Sequence, residues 1–89
     1  MDLASIKEEL RDGPYAWPGG YPKYFIMGDT SEVSFEAVKA NWKEVCRAHI
    51  TRDHLNDWWV HLVDINWEDE FLRCAHTNEP IECAYPSTE

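Results

Sequence analysis

The sequence predicts an α+β domain: a small antiparallel sheet of about three to four strands packed on one main amphipathic helix, with a short N-terminal helix ahead of it. Three observations carry this reading. Apolar residues recur at helical spacing over residues 35–50, they alternate at strand spacing over 58–69, and a compact apolar run, "KYFIM", stands between punctuating residues at 23–27. The order helix, strand, helix, strand, hairpin holds no repeat, low-complexity tract or linker, so the chain reads as one domain, residues 1–89.

Asp2 opens the first helix as its N-cap, Leu3, Ile6 and Leu10 form one stripe along it, and Gly13-Pro14 ends it. "GPYAWPGGYP" then packs three Pro and three Gly into one stretch and reads as irregular chain, with Tyr15, Trp17 and Tyr21 pinned over the edge of the core. "KYFIM" is a buried strand that runs into a turn at Gly28-Asp29. Ser34 caps the main helix, on which Phe35, Val38, Trp42, Val45, Cys46 and His49 share one arc while Glu36, Lys43, Glu44 and Arg47 lie away from it. In "WWVHLVDINWED", Trp59, His61, Val63, Ile65 and Trp67 alternate with Trp58, Val60, Leu62, Asp64 and Asn66. Both sets are apolar at the centre, which predicts a central strand with one face under the helix. "FLRCA" and "IECAY" flank Thr77-Asn78-Glu79-Pro80 as a closing hairpin.

Charge narrows the function classes. The net charge is −9. Residues 1–51 carry six Lys/Arg against eight Asp/Glu, a net of −2, whereas residues 52–89 carry two against nine, a net of −7. Such a field repels nucleic-acid phosphates and attracts a basic partner. It also serves plain solubility. No run approaches the roughly 18 apolar residues of a membrane span. "MDLASIKEELRDG" lacks the apolar region of a signal peptide, and three cysteines, an odd number, argue against a disulfide framework; a cytoplasmic location is expected. Five Trp, four Tyr and three Phe supply core area, and some of them are expected on the surface as partner contacts.

Few residues suggest chemistry. Zinc needs four N or S ligands on converging turns. Cys46 and His49 share a helix face, but the apolar one, so both read as core. Cys74-x-His76 with Cys83 beyond the turn makes Cys74, His76 and Cys83 the candidate metal ligands, half a site without a second pair to complete it; a plain hairpin with packed thiols is the competing reading. No strand-turn-helix nucleophile motif is present. His54 beside Asp53 reads as a solvated pair and His61 as a core residue of a strand, with general-base roles as the alternative. The acidic cluster Asp64, Glu68, Asp69 and Glu70 lacks the calcium-loop pattern and reads as a solvated turn or as a docking surface for a basic partner. No cofactor is implied, and Gly19-Gly20 lacks the residues of a phosphate loop.

"GGYPKYFIMGD", "INWEDEFLRCAHT" and "PIECAY" together resemble a group of small proteins encoded by bacteriophages, plasmids and integrated elements, over roughly residues 19–85. The resemblance implies a zinc-ribbon ancestry, in which a Cys-x-x-Cys follows the first strand and a Cys-Asp-His-Cys-like knuckle precedes an Ile-x-Ser-Ala-Tyr ending. Here "SFEAV" stands at the first pair, Thr77 at the second knuckle Cys, and Cys83 near the place of the small polar residue. The stretch "CAHTNEPIEC" thus resembles a knuckle that has lost its metal, with Tyr24, Phe25, Trp42 and Trp67 supporting the fold instead.

By size and charge alone, the chain is similar to anti-CRISPR and other counter-defence proteins. The expectation is therefore a non-enzymatic, acidic inhibitor that binds a basic host protein or nucleoprotein complex and blocks a nucleic-acid channel, without touching nucleic acid or membrane itself, as a monomer or small homo-oligomer. Its expected contacts are Asp64, Glu68, Asp69, Glu70, Glu79 and Glu82 for electrostatics and Tyr15, Trp17 and Trp58 as anchors. Two alternatives stand beside it: a zinc-ribbon-derived accessory module binding a transcription or replication protein, and a small hydrolase using His61 or His54.

Overall fold

The computed structural model describes residues 1–85 and builds its sheet around one strand. Helix α1 (Leu3–Asp12) starts where the Asp2 carboxylate accepts the Ser5 N–H at 2.8 Å and stops at Gly13, whose φ of 94° a side chain would resist. Strand β1 (Tyr15–Ala16) leads through a tight turn into β2 (Tyr21–Met27). In that turn Gly19 holds φ 113°, which side chains rarely adopt, and a Cβ there would sit 2.6 Å from the Tyr21 ring and force it to shift. Strand β3 (Glu32–Val33) follows the predicted Gly28-Asp29 turn and pairs back on β2 at Phe25 and Ile26. Helices α2 (Phe35–Ala40) and α3 (Trp42–Ile50) come next, and strand β4 (Val60–Ile65) completes a four-stranded antiparallel sheet in which β2 pairs with β1, β3 and β4. This is the α+β architecture that the sequence predicts.

The core lies between sheet and helices. Phe25, Met27, Val33 and Val60 from the strands meet Phe35, Val38 and Val45 from α2 and α3, with Ile6 of α1, Cys74 and Ile81 closing the ends. Phe25 and Phe35 stack with centroids 4.3 Å apart. Each such side chain contributes about 1.5–3 kcal/mol by leaving water. Lys23 spans the boundary: its Nζ sits 2.7 Å from Glu9 Oε1 and 5.5 Å from the Phe35 ring centre.

Four local expectations need correction. The main helix is broken at Asn41, whose Nδ2 donates to the Ala37 carbonyl at 2.9 Å and whose own N–H takes the same acceptor. Asparagine offers the backbone this local alternative to a continuous helix. Strand β4 is not central: within the described residues it pairs with β2 alone. Its register slips between Ile26–Leu62 and Met27–Val60, leaving His61 as an extra, exposed residue. The bulge brings Val60 and Val63 to the inner face, opposite Met27 and Phe25, and so mixes the two predicted faces. The closing hairpin reduces to one bridge, Arg73 to Pro80, around a turn in which Asn78 adopts φ 58° and its N–H reaches the Cys74 carbonyl. Finally, Trp67 is 46% exposed and belongs to the surface, not to the core.

Candidate partner interface

Asn66, at the end of β4, assembles the acidic flank. It is 3% exposed and fully engaged. Its Nδ2 donates to the carbonyls of Asp69 (2.9 Å), Glu82 (3.0 Å) and Ile81 (3.4 Å), and its Oδ1 accepts the Asp69 N–H at 3.1 Å. Its backbone N–H binds Pro22 O, and its carbonyl receives the Ala84 N–H. Asn66 therefore clasps the turn Glu68–Asp69–Glu70 to residues 81–82 through its side chain, and joins β2 and Ala84 through its backbone. Within the turn, the Asp69 carboxylate accepts the Phe71 N–H at 3.0 Å; on β4, the Asp64 carboxylate accepts the Ile65 N–H at 2.8 Å.

Asp64, Glu68, Asp69, Glu70, Glu79 and Glu82 are all exposed, and among the described residues none forms an ion pair within 4.0 Å. Two tyrosines register the resulting field. Burial first, then the carboxylates of Asp64, Glu32 and Asp69, push the Tyr24 hydroxyl above its usual pKa. The Glu82 charge, burial, the hydrogen bond that Tyr15 donates to Glu82 Oε1 at 3.2 Å, and the Glu36 charge do the same at Tyr15.

Beside the clasp stands an aromatic group that sequence reasoning distributed elsewhere. Tyr21 and Trp67 meet with centroids 4.8 Å apart, Tyr85 lies 6.1 Å from Tyr21 and 6.3 Å from Trp67, and the Tyr85 hydroxyl reaches that of Tyr21 at 3.5 Å. Trp67 and Tyr85 (57% exposed) both remain open to solvent. Trp17, in the β1–β2 turn that precedes Tyr21, is 75% exposed. Of the three expected anchors, Trp17 is thus free and Tyr15 is tethered to Glu82. Trp58 is half-buried, with its ring stacked on His76 at 4.0 Å.

The candidate metal ligands do not converge. Cys74 is buried in the core cluster, His76 faces Trp58, and Cys83 lies on the segment that Asn66 holds; among the described residues no three His, Cys, Asp or Glu side chains gather as a metal site. Burial raises the Cys74 thiol pKa, but the Thr77 side chain and the N–H groups of Ser34 (3.4 Å), Thr77 and His76 more than offset it and bring the pKa below the ordinary thiol value.

Three of the histidines, His49, His54 and His76, pack against tryptophan rings. His49 accepts the Val60 N–H on Nε2 at 3.0 Å, and Trp59 is sandwiched between His49 (4.2 Å) and His54 (4.1 Å). His61 is the exposed bulge residue, not the core residue the alternation predicts. No described helix is long and apolar enough to cross a membrane.

The signal for Asn66 was available in "INWED": an asparagine three residues before an aspartate at a strand end is turn chemistry. Comparison with family models, with curated proteins and with solved structures finds no match.

Proposed function

We propose that this chain is an acidic binding protein, encoded by a phage or other mobile element, that inhibits a basic host complex by protein–protein contact. The observation that supports this most is the conjunction at one end of the sheet: carboxylates without ion pairs around Asn66, and exposed Trp67 and Tyr85 beside them. Unpaired surface charge steers encounter with an oppositely charged partner. Exposed aromatic side chains supply the desolvated anchors that charge alone does not. In this reading the carboxylates on the turn that Asn66 holds take the place of nucleic-acid phosphates in a basic channel, and the contact excludes the partner's own ligand. An accessory module built on zinc gains no supporting ligand cluster among the described residues.

The test is competition. Purified nucleic-acid-handling complexes, guide-loaded CRISPR effectors among them, are incubated with labelled DNA and increasing amounts of the protein. Displacement of DNA by the wild type, weakened in Glu68→Gln/Glu70→Gln/Glu79→Gln, is the expected result. Failure to displace DNA from any basic complex, or equal potency of the triple variant, contradicts the reading.

A further inference from the structure

Between the start of β2, the first turn of α2 and the chain at Pro80 lies a cleft of about 180 Å³. That is smaller than the roughly 300 Å³ at which small-molecule sites begin, and it suits a single side chain. Pro22, Phe35 and Ile81 belong to its apolar part, and Glu36, Glu82 and the Tyr15 ring also line it. Lys23 also lines it, but its ammonium is matched by Glu9 at 2.7 Å, and the Lys23 side chain is only 12% exposed. Glu36 and Glu82 have no ion pair within 4.0 Å among the described residues. Glu82 is oriented by the Tyr15 hydroxyl, which leaves its Oε2 without a described hydrogen-bond partner. Both carboxylates act on that same hydroxyl. At Pro80 the cleft adjoins a larger groove of about 520 Å³ that shares Ser34, Glu36 and Pro80 and adds Glu79.

We propose that this cleft receives one arginine or lysine side chain of the partner, its aliphatic stem against Phe35, Pro22 and Ile81 and its charged head between Glu36 and Glu82. The inference rests on the docking reading above and deepens it. Apolar walls with two unmatched carboxylates fit a side chain that is apolar along its stem and cationic at its tip. A neutral apolar occupant would leave both charges without a partner, and an anionic one would be repelled.

The experiment titrates the full chain, ¹⁵N-labelled, with N-acetyl-arginine amide and separately with its neutral citrulline analogue, following amide shifts by NMR. Shifts concentrated at Tyr15, Lys23, Phe35, Glu36, Ile81 and Glu82 with arginine, and none there with citrulline, are expected. In Glu36→Gln/Glu82→Gln the arginine affinity falls by about tenfold or more. Glu36→Gln alone, which removes no described hydrogen bond, gives a smaller loss and guards against a misfolded double variant. Equal shifts with citrulline, an unchanged affinity in both variants, or shifts confined to Glu68–Glu70 overturn the proposal. The two readings fail separately: arginine seen only at the acidic turn sinks the cleft and leaves the docking surface, while a protein that binds no basic complex sinks the docking surface whatever arginine does.

Discussion

Replacing Asn66 with Ala tests whether the acidic flank is a held structure or a loose turn. The wild-type amide makes two short bonds to the Asp69 and Glu82 carbonyls, a longer one to Ile81 O, and accepts the Asp69 N–H, all at 3% exposure. At about 1 kcal/mol net for each of the three shorter bonds, the loss is roughly 3 kcal/mol, before any penalty for the Asp69 N–H left in a poorly hydrated site. For a domain of this size that lowers Tm by roughly 12–24 °C. The assay is urea unfolding followed by tryptophan fluorescence, since Trp67 adjoins the clasp. A second variant isolates the chemistry. Asn66→Asp keeps the shape but aims a carboxylate at three carbonyl oxygens, which raises its folded-state pKa. The folded variant then holds a proton that the unfolded chain releases, so its stability is fullest at low pH and declines as pH rises through the raised value. Asn66→Ala within about 0.5 kcal/mol of wild type, the scatter of ordinary surface substitutions, would refute the clasp. So would an Asn66→Asp variant whose stability relative to wild type at the same pH is no lower at neutral than at acid pH.

Three further outcomes are expected. Burial first, then the positive N-terminus and His54, lower the His49 pKa against the opposing pull of Asp2; the unfolded chain therefore binds the proton first, and stability falls as pH drops below about 6.5. Thermal melts should show that fall in the wild type and a flatter profile in His49→Gln. Trp17→Ala should weaken partner binding without moving Tm, whereas Trp58→Ala, which unstacks His76 and uncovers the core edge, should cost about 2–4 kcal/mol; equal Tm changes for the two would reverse the assignment of anchor and support. Prolonged dialysis against a chelator should leave Tm unchanged, and a fall of several degrees would reinstate a metal at Cys74 or Cys83.

The parts of the fold legible in the sequence are those set by neighbours along the chain. Asp2 and Ser34 announce their helices because an N-cap acts on N–H groups two or three residues away, and both make that bond. The apolar run 23–27 and the Gly28-Asp29 turn needed nothing from elsewhere. What was not legible depends on distant partners or on one residue breaking a period. The bulge at His61 is invisible to an alternation template, yet it decides which side chains of β4 face inward. Asn41 looks tolerable inside a helix until its side chain takes the Ala37 carbonyl. The acidic flank was legible as charge, but its architecture was not. The Asn66 side chain joins residues 3 to 16 positions away, and the aromatic group unites Tyr21, Trp67 and Tyr85 from separate segments.

The most direct measurement is the affinity of the protein for a basic nucleic-acid-handling complex that it displaces from DNA, determined between about 50 and 300 mM salt. Exposed charges are increasingly screened over that range, where the Debye length shortens through about 10 Å. An acidic docking surface predicts affinity that falls on the order of tenfold or more across it, with a shallower slope in Glu68→Gln/Glu70→Gln/Glu79→Gln. Affinity that is flat with salt, and identical in the triple variant, would contradict the account.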